Sequence, residues 1–369
     1  MPVMIPSKML TYTSLQSVFQ YMEANLRFDL SQRLPLIRTA EKTAPLQIVD
    51  FRYNGSDFLT INNTSYCLEL KRERTEFHKT VKTTNTLSFD VDVYGNTDWN
   101  CQSMETPGDV PIFKNWFRIE ADRRGRRKNK ILPSDEFFIE LTVDSARKPQ
   151  TERVTYSKKM YEAYKYRITK LLGRGHSVVR VKIFDISMPA GVLRWPLELK
   201  LVVQNLKLGD IEDMEHVPKI LCDTSFPLQQ LETDVFSEEL RETTKNVIEA
   251  TDRLVLSFPH NYEFLRDRIR NRRFRTDGSM LVAIDYMNIV REWRAEKRKI
   301  GSCWEFSAYD GPEILRFLQL MKREVGVISV GDKTVHIPID GNTTIVVIYN
   351  SKQCELSIKV VSTETLQLD

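Results

Sequence analysis

Glycine is scarce in this chain, at 14 of 369 residues, well under the ~7 % of an average globular sequence. That disfavours nucleotide folds built on glycine-rich loops, collagen-like repeats and low-complexity tracts. The glycine-dependent motifs GxGxxG, GxxxxGK[ST] and GxSxG do not occur, and neither does the zinc-protease pattern HExxH. The five cysteines (Cys67, Cys101, Cys222, Cys303 and Cys354) are odd in number and scattered, without a CxxC or a zinc-type spacing. They read as reduced thiols, which points to the cytoplasm or the nucleus. No apolar run approaches the ~20 residues that a membrane span requires. The opening MPVMIPSKML lacks the basic flank and apolar stretch of a secretory signal. No membrane association, cofactor or bound metal is expected.

What remains for chemistry is thin. Gly173-Arg174-Gly175-His176 joins a helix to a strand, the reverse of the strand-to-helix order of a phosphate cradle, and reads as a helix end and a turn. The acidic run Asp210, Glu212, Asp213, Glu215 with His216 fits the first turn of a helix, and no second histidine stands at a ligand spacing. His78, His260 and His336 have no neighbouring nucleophile or carboxylate pattern. A non-catalytic protein is the expectation.

Hydrophobic residues make up 41 % and charged residues 28 %, enough apolar mass for a true core. The net charge is +4, unevenly spread. Segment 118–130 (RIEADRRGRRKNK) contributes +5 and segment 261–275 (NYEFLRDRIRNRRFR) +4, leaving the rest of the chain at −5. Arg123, Arg124, Arg126 and Arg127 of the first, with Arg266, Arg270 and Arg273 of the second, form a candidate patch for an anionic partner. The plainer reading is a solvated loop and an exposed helix face over Phe264, Leu265 and Ile269, so nucleic acid is an unlikely partner.

Residues 10–45 are helical in pattern. Thr13 and Gln16 have capping-box spacing, and Leu15, Val18, Phe19 and Met22 recur at a helical period. A break at Asn25, a short turn of helix at Asp29–Arg33 and a third helix opened by Pro35 follow. From Leu46 the period becomes two: LQIVDFRY is a strand, and FLTI/TSYCLEL is a hairpin turning at Asn62-Asn63. Residues 78–130 are polar and patternless, a long loop or disordered insertion. A helix at 157–172 is then closed by Gly173. Strand-like runs are centred on Val181, Lys200, Thr233, Leu256 and Ile284, with helical patterns at 237–250 and 261–275 between them. One strand per 20–30 residues is a solenoid-range period, although an ordinary α/β sheet would also alternate strand and helix. The C-terminal stretch reads as helix 287–298, strand CWEFSA, helix 313–324, the hairpin VISV-GD-KTVHI, and strands TIVVIY and ELSIKVV.

The segment LTYTSLQSVFQYMEANLRFDLSQRLPLIRTAEKTAPLQ (10–47) resembles the F-box-like start of a nematode-specific set of F-box-associated proteins. KLLGRGHSVVRVKIF (170–184), GVLRWPLELKLVVQNLKL (191–208), SFPLQQLE (225–232) and VREWRAEKRKIGSCWEFS (290–307) resemble the same family. The resemblance implies a fold of class α/β. A short three-helix F-box-like module (8–45) leads to the first strands of an associated domain (46–77) and the polar and basic insertion (78–130). An irregular leucine-rich-repeat-like strand/helix solenoid (131–286) and a small α+β C-terminal cap (287–369) complete it. It further implies a recognition subunit whose box grips the Skp-type adaptor and, through it, the cullin of an SCF-type ubiquitin ligase, while the body captures a target protein. Leu10, Leu15, Val18, Leu30, Leu36 and Ile37 match the apolar positions of the box. The alternative is a protein-binding scaffold with a degenerate box and no ligase connection, since Thr11 stands where the box opens Leu-Pro and no tryptophan follows Ile37.

Overall fold

The computed structural model describes residues 11–53, 58–75, 82–87, 90–91, 98, 105–111, 135–145, 149–173, 178–186, 192–235, 242–257, 262–308, 311–324, 326–329 and 331–367. The chain is mixed α/β, with a large mixed β-sheet and several helices. It divides into two compact units, one comprising residues up to 207 with 213–225, the other 208–212 with 226–369. No helix among the described residues is long and apolar enough to cross a membrane.

The first unit opens with short helices α1 (Tyr12–Tyr21), α2 (Ala24–Arg33) and α3 (Arg38–Thr43), the last entered through a 3-10 turn at Pro35–Ile37. Proline at the start of that turn fits its fixed φ and missing N–H. Two boundaries differ from the sequence reading. Thr11, not Thr13, caps α1, its hydroxyl accepting from Ser14 N at 3.2 Å. Asn25 is no break, because the Glu23 carboxylate caps α2 one residue before the helix begins, accepting from Leu26 N at 3.0 Å. A charged acceptor at the N-cap satisfies an orphan donor and opposes the positive helix end.

The strands of this unit are β1 (Leu46–Tyr53), β2 (Phe58–Ile61), β3 (Thr64–Thr75), β4 (Lys82–Leu87), β5 (Val110–Pro111), β6 (Asp135–Asp144), β7 (Gln150–Thr155), β8 (Val179–Ile186), β9 (Val192–Leu193) and β10 (Leu201–Asp210). Their order is β7-β6-β3-β2-β1-β8-β10, with β4 paired to β3 and β5 to β9. The hairpin at Asn62-Asn63 forms as expected, with Asn62 at φ 52°. The 78–130 stretch is less irregular than its composition suggests. Lys82–Leu87 pair with the far end of β3, and Val110 is fully buried against β9. Backbone pairing available from a long neighbour strand outweighs the weak pattern of KTTNTL. Helix α4 (Met160–Leu172) connects to β8, which pairs in parallel with β1. Gly173 follows α4 because a Cβ there would meet Thr169 O at 2.4 Å.

In β1, β8 and β10 the buried phase shifts mid-strand. Leu46 and Ile48 are buried, then Phe51 and Tyr53; Val179 and Val181, then Phe184 and Ile186; Leu201 and Val203, then Leu206. At the shift in β1 the Asn62 side-chain oxygen accepts from Val49 N (2.9 Å) and Asp50 N (3.2 Å), restoring partners to donors that the irregularity frees.

The second unit contains β11 (Gln230–Val235), α5 (Glu242–Ala250), β12 (Arg253–Leu256), α6 (Tyr262–Arg268), β13 (Arg273–Ser279), α7 (Ala283–Ala295) and β14 (Cys303–Ala308). The strands pair in parallel, each beside the next in chain order. Helix α8 (Gly311–Met321) then leads to β15 (Ile328–Ser329), β16 (Thr334–Pro338), β17 (Thr343–Asn350) and β18 (Glu355–Ser362), an antiparallel meander whose last strand lies against β14.

Two expectations fail here together. The helix read over 261–275 stops at Arg268, and Arg273–Ser279 form a strand, because Phe274 is buried against Trp304 (5.1 Å between ring centroids). The strand read at 281–286 is the first turn of α7. Ala283, Tyr286, Met287, Val290 and Trp293 are its buried face, a helical period that a short window mistakes for an apolar strand. The strand read around Lys200 begins at Leu201 instead.

Candidate functional site

The helical module is held by polar groups rather than by apolar area. Its core is small: Phe19, Ala40 and Ala44 buried, with Leu15, Met22 and Ile37 packed against them. Beside it Arg27 is fully buried. Its guanidinium donates to Glu41 Oε1 (3.2 Å) and to the carbonyls of Glu41 (2.7 Å), Ala44 (3.0 Å) and Pro45 (2.7 Å), and lies 5.8 Å from the centre of the Phe19 ring. One side chain thereby neutralises a buried carboxylate and satisfies the open carbonyls at the end of α3, setting the chain's path into β1. A second set fastens the module to the hairpin. Asn62 Nδ2 donates to Glu23 Oε1 (2.6 Å), Asn25 Nδ2 to Ile61 O (2.9 Å) and Tyr66 OH to Asn25 Oδ1 (2.7 Å).

With the module so braced, apolar side chains remain in solvent. Leu36 is 98 % exposed, Tyr21 85 % and Val18 44 %, with Leu34 also exposed. Of the residues singled out in the sequence, Val18 and Leu36 are therefore available to a partner. Leu15 and Ile37 are half-buried in the module's own core, Leu30 is half-buried, and Leu10 lies outside the described residues. Tyr21 and Leu34 were missed, because a helical-period argument selects buried positions and these lie off the stripe.

The other candidate surface is the open side of the parallel strands. Leu231, Leu254, Phe274, Thr276, Trp304 and Phe306 are buried, whereas the residues alternating with them are mostly polar, the buried Val255 being an exception. Arg253 Nη2 reaches Glu305 Oε2 at 2.7 Å across β13. Arg275 pairs with Asp277 (3.1 Å) and Glu355 (3.7 Å), and Arg273 with Asp252 (3.2 Å). Parallel sheets are usually covered on both faces, so a charged face is a departure. Cys303 sits on it, but burial pushes its thiol up from the ordinary range, the opposite of what a nucleophile needs. Burial also lowers His336. Among the described residues no group of His, Cys, Asp or Glu side chains is arranged to hold a metal ion.

The charge runs are resolved unequally. Arg123, Arg124, Arg126 and Arg127 lie outside the described residues. Arg266 is paired with Asp267 (2.7 Å) and Arg273 with Asp252, while Arg270 is exposed. Of the three arginines of 261–275 that the sequence offered to an anion, Arg266 and Arg273 are thus met by carboxylates.

Comparison with known families adds one match. Residues 159–310 match the model of a domain of unknown function, DUF3557. The matched stretch begins at the residue before α4 and ends just past β14, so it contains the parallel strands and leaves out both the helical module and the meander. No curated protein and no solved structure matches the chain.

Proposed function

We propose that the chain is a non-catalytic recognition subunit, a member of the nematode F-box-associated family, that presents a target protein to an SCF-type ubiquitin ligase. In this reading the module α1–α3 holds the Skp-type adaptor and the cullin follows. The body is a leucine-rich-repeat-like solenoid, capped by the meander, that binds the target through its open strand face. The observation that carries the reading is the pairing of a braced three-helix module with apolar side chains left in water, Leu36 above all. Exposed apolar groups on a rigid support are what an interface anchor requires. The run β11 to β14, each strand beside its successor with a helix between, supports the solenoid part.

A second reading, a scaffold with no ligase connection, is favoured by Leu15 and Ile37. These box-matching positions pack inward instead of facing a partner. The two readings separate in a binding measurement with purified adaptor. Leu36→Asp, which removes no internal contact, abolishes adaptor binding in the ligase reading. A wild-type chain that does not bind leaves the scaffold.

A further inference from the structure

Arg38, Lys42 and Lys170 line a cleft of about 290 Å³ between α2–α3 and α4, together with Tyr166, Ser31 and Gln32. Among the described residues none of these cations has a carboxylate within ion-pair distance. Arg38 donates to Ser31 O (3.1 Å) and Lys42 to Gly173 O (3.4 Å), both neutral carbonyls. Lys170 lies 5.1 Å from the centre of the Tyr166 ring, and Lys158, equally without an acidic partner, lies 5.4 Å from it. Glu41, the acid that lines the cleft, is occupied by Arg27.

One residue from Tyr166 stands a second anomaly. Arg167 is 9 % exposed, stacks over the Tyr66 ring at 4.8 Å, and among the described residues has no carboxylate partner; its Nη1 is buried without a hydrogen bond there. Desolvation lowers it to about 10. A buried cation without a counter-charge is costly, but Arg167 faces Tyr66 and is not among the residues lining the cleft. The contrast with the second unit is direct: there Arg266, Arg273 and Arg275 of the charge run carry acidic partners, and here the cations, though dispersed along the sequence, carry none among the described residues.

We infer that this cleft binds a small, phosphate-bearing anion, which would fasten the helical module to α4. Its volume sits at the lower end of ligand pockets, fitting a compact solute. Cations converging from separate elements, with hydroxyl and amide groups beside them, suit a multiply charged phosphate better than a single carboxylate, since a phosphomonoester alone brings about −1.5 to −2 charges. The inference does not depend on the ligase reading, because it concerns the inner side of the module and not its exposed apolar residues.

The test uses the full chain with sodium tripolyphosphate as probe, in titration calorimetry and thermal melts at constant ionic strength. Saturable one-site binding with a raised melting temperature is expected for the wild type. In Lys42→Gln/Lys170→Gln the affinity falls by at least about tenfold, the loss of a charge-assisted contact or more, while the melt without probe is unchanged. Arg266→Gln/Arg270→Gln, on the charge run, binds as the wild type does. Absence of saturable wild-type binding, equal affinity in the Lys42/Lys170 variant, or an equal loss in the Arg266/Arg270 variant would overturn the inference.

Discussion

The helical module and the parallel run of the second unit solve the same problem by opposite means. The module has a handful of apolar residues and relies on Arg27, which serves a carboxylate and three carbonyls at once. The parallel run relies on rings. Trp304 contacts Phe274 (5.1 Å), Trp293 (5.3 Å) and Phe306 (6.3 Å), and Tyr286 links Phe306 (5.4 Å) to Phe317 of α8 (5.5 Å). The lesson is one of scale. Three short helices bury too little area to hold themselves, so a directional polar contact fixes them and leaves apolar residues exposed. Strands and helices in succession bury enough, and Arg253, Arg273, Arg275 and Glu305 of these strands lie on the open face.

The comparison breaks first at Trp304. Replacing it with alanine removes a buried indole from three rings and from a hydrogen bond to Asn271 O (3.1 Å), and is expected to cost about 3–5 kcal/mol, seen as a lowered denaturant midpoint. Arg27→Met comes next. It leaves Glu41 and the α3 carbonyls buried without their donor, an expected loss of about 3–5 kcal/mol for the broken pair that falls on the smaller region. Proteolysis at 12–43 with the second unit intact is the check, and a uniform loss of both regions would contradict the contrast.

A smaller effect sharpens it by pH. Asp109 is buried and accepts from Thr106, Lys165 (2.9 Å), Arg194 (3.0 Å) and Trp195 N (3.2 Å). Although desolvation alone would raise its carboxyl, these contacts hold it below the ordinary value. A carboxyl lowered on folding stabilises above its unfolded pKa, near ~3.9, and that contribution is lost as pH falls through the folded value. Acid titration of Asp109→Asn should therefore show a shallower stability loss below about pH 4 than the wild type, with no change in the second unit's transition.

The period-two segments were legible in advance. LQIVDFRY, CWEFSA and the Asn62-Asn63 hairpin fall where the alternation placed them, because one face of each is buried and the pleat enforces the pattern. The end of α6 and the start of α7 were not. Arg273–Ser279 carries Arg273, Arg275 and Asp277 at alternate places and looks like a helix surface until Phe274 and Thr276 find the core, and Leu281–Tyr286 is too short to tell helix from strand. The cleft was illegible for a related reason. Arg38, Lys42 and Lys170 form no run, and only the packing of α4 beside the module gathers them. In contrast, the runs that stood out in the sequence lie outside the described residues at 123–127 and are paired in part at 266–273, where Arg266 and Arg273 have carboxylate partners.

The central claim is that the braced module offers its exposed apolar residues to an adaptor. Calorimetric titration of the full chain with purified Skp-type adaptor, wild type beside Leu36→Asp and Val18→Asp, tests it most directly. The account predicts saturable binding by the wild type and, from the loss of an apolar anchor worth about 2 kcal/mol or more, at least roughly thirtyfold weaker binding by Leu36→Asp at an unchanged melting temperature. Equal binding by all three chains, or none by the wild type, would contradict it.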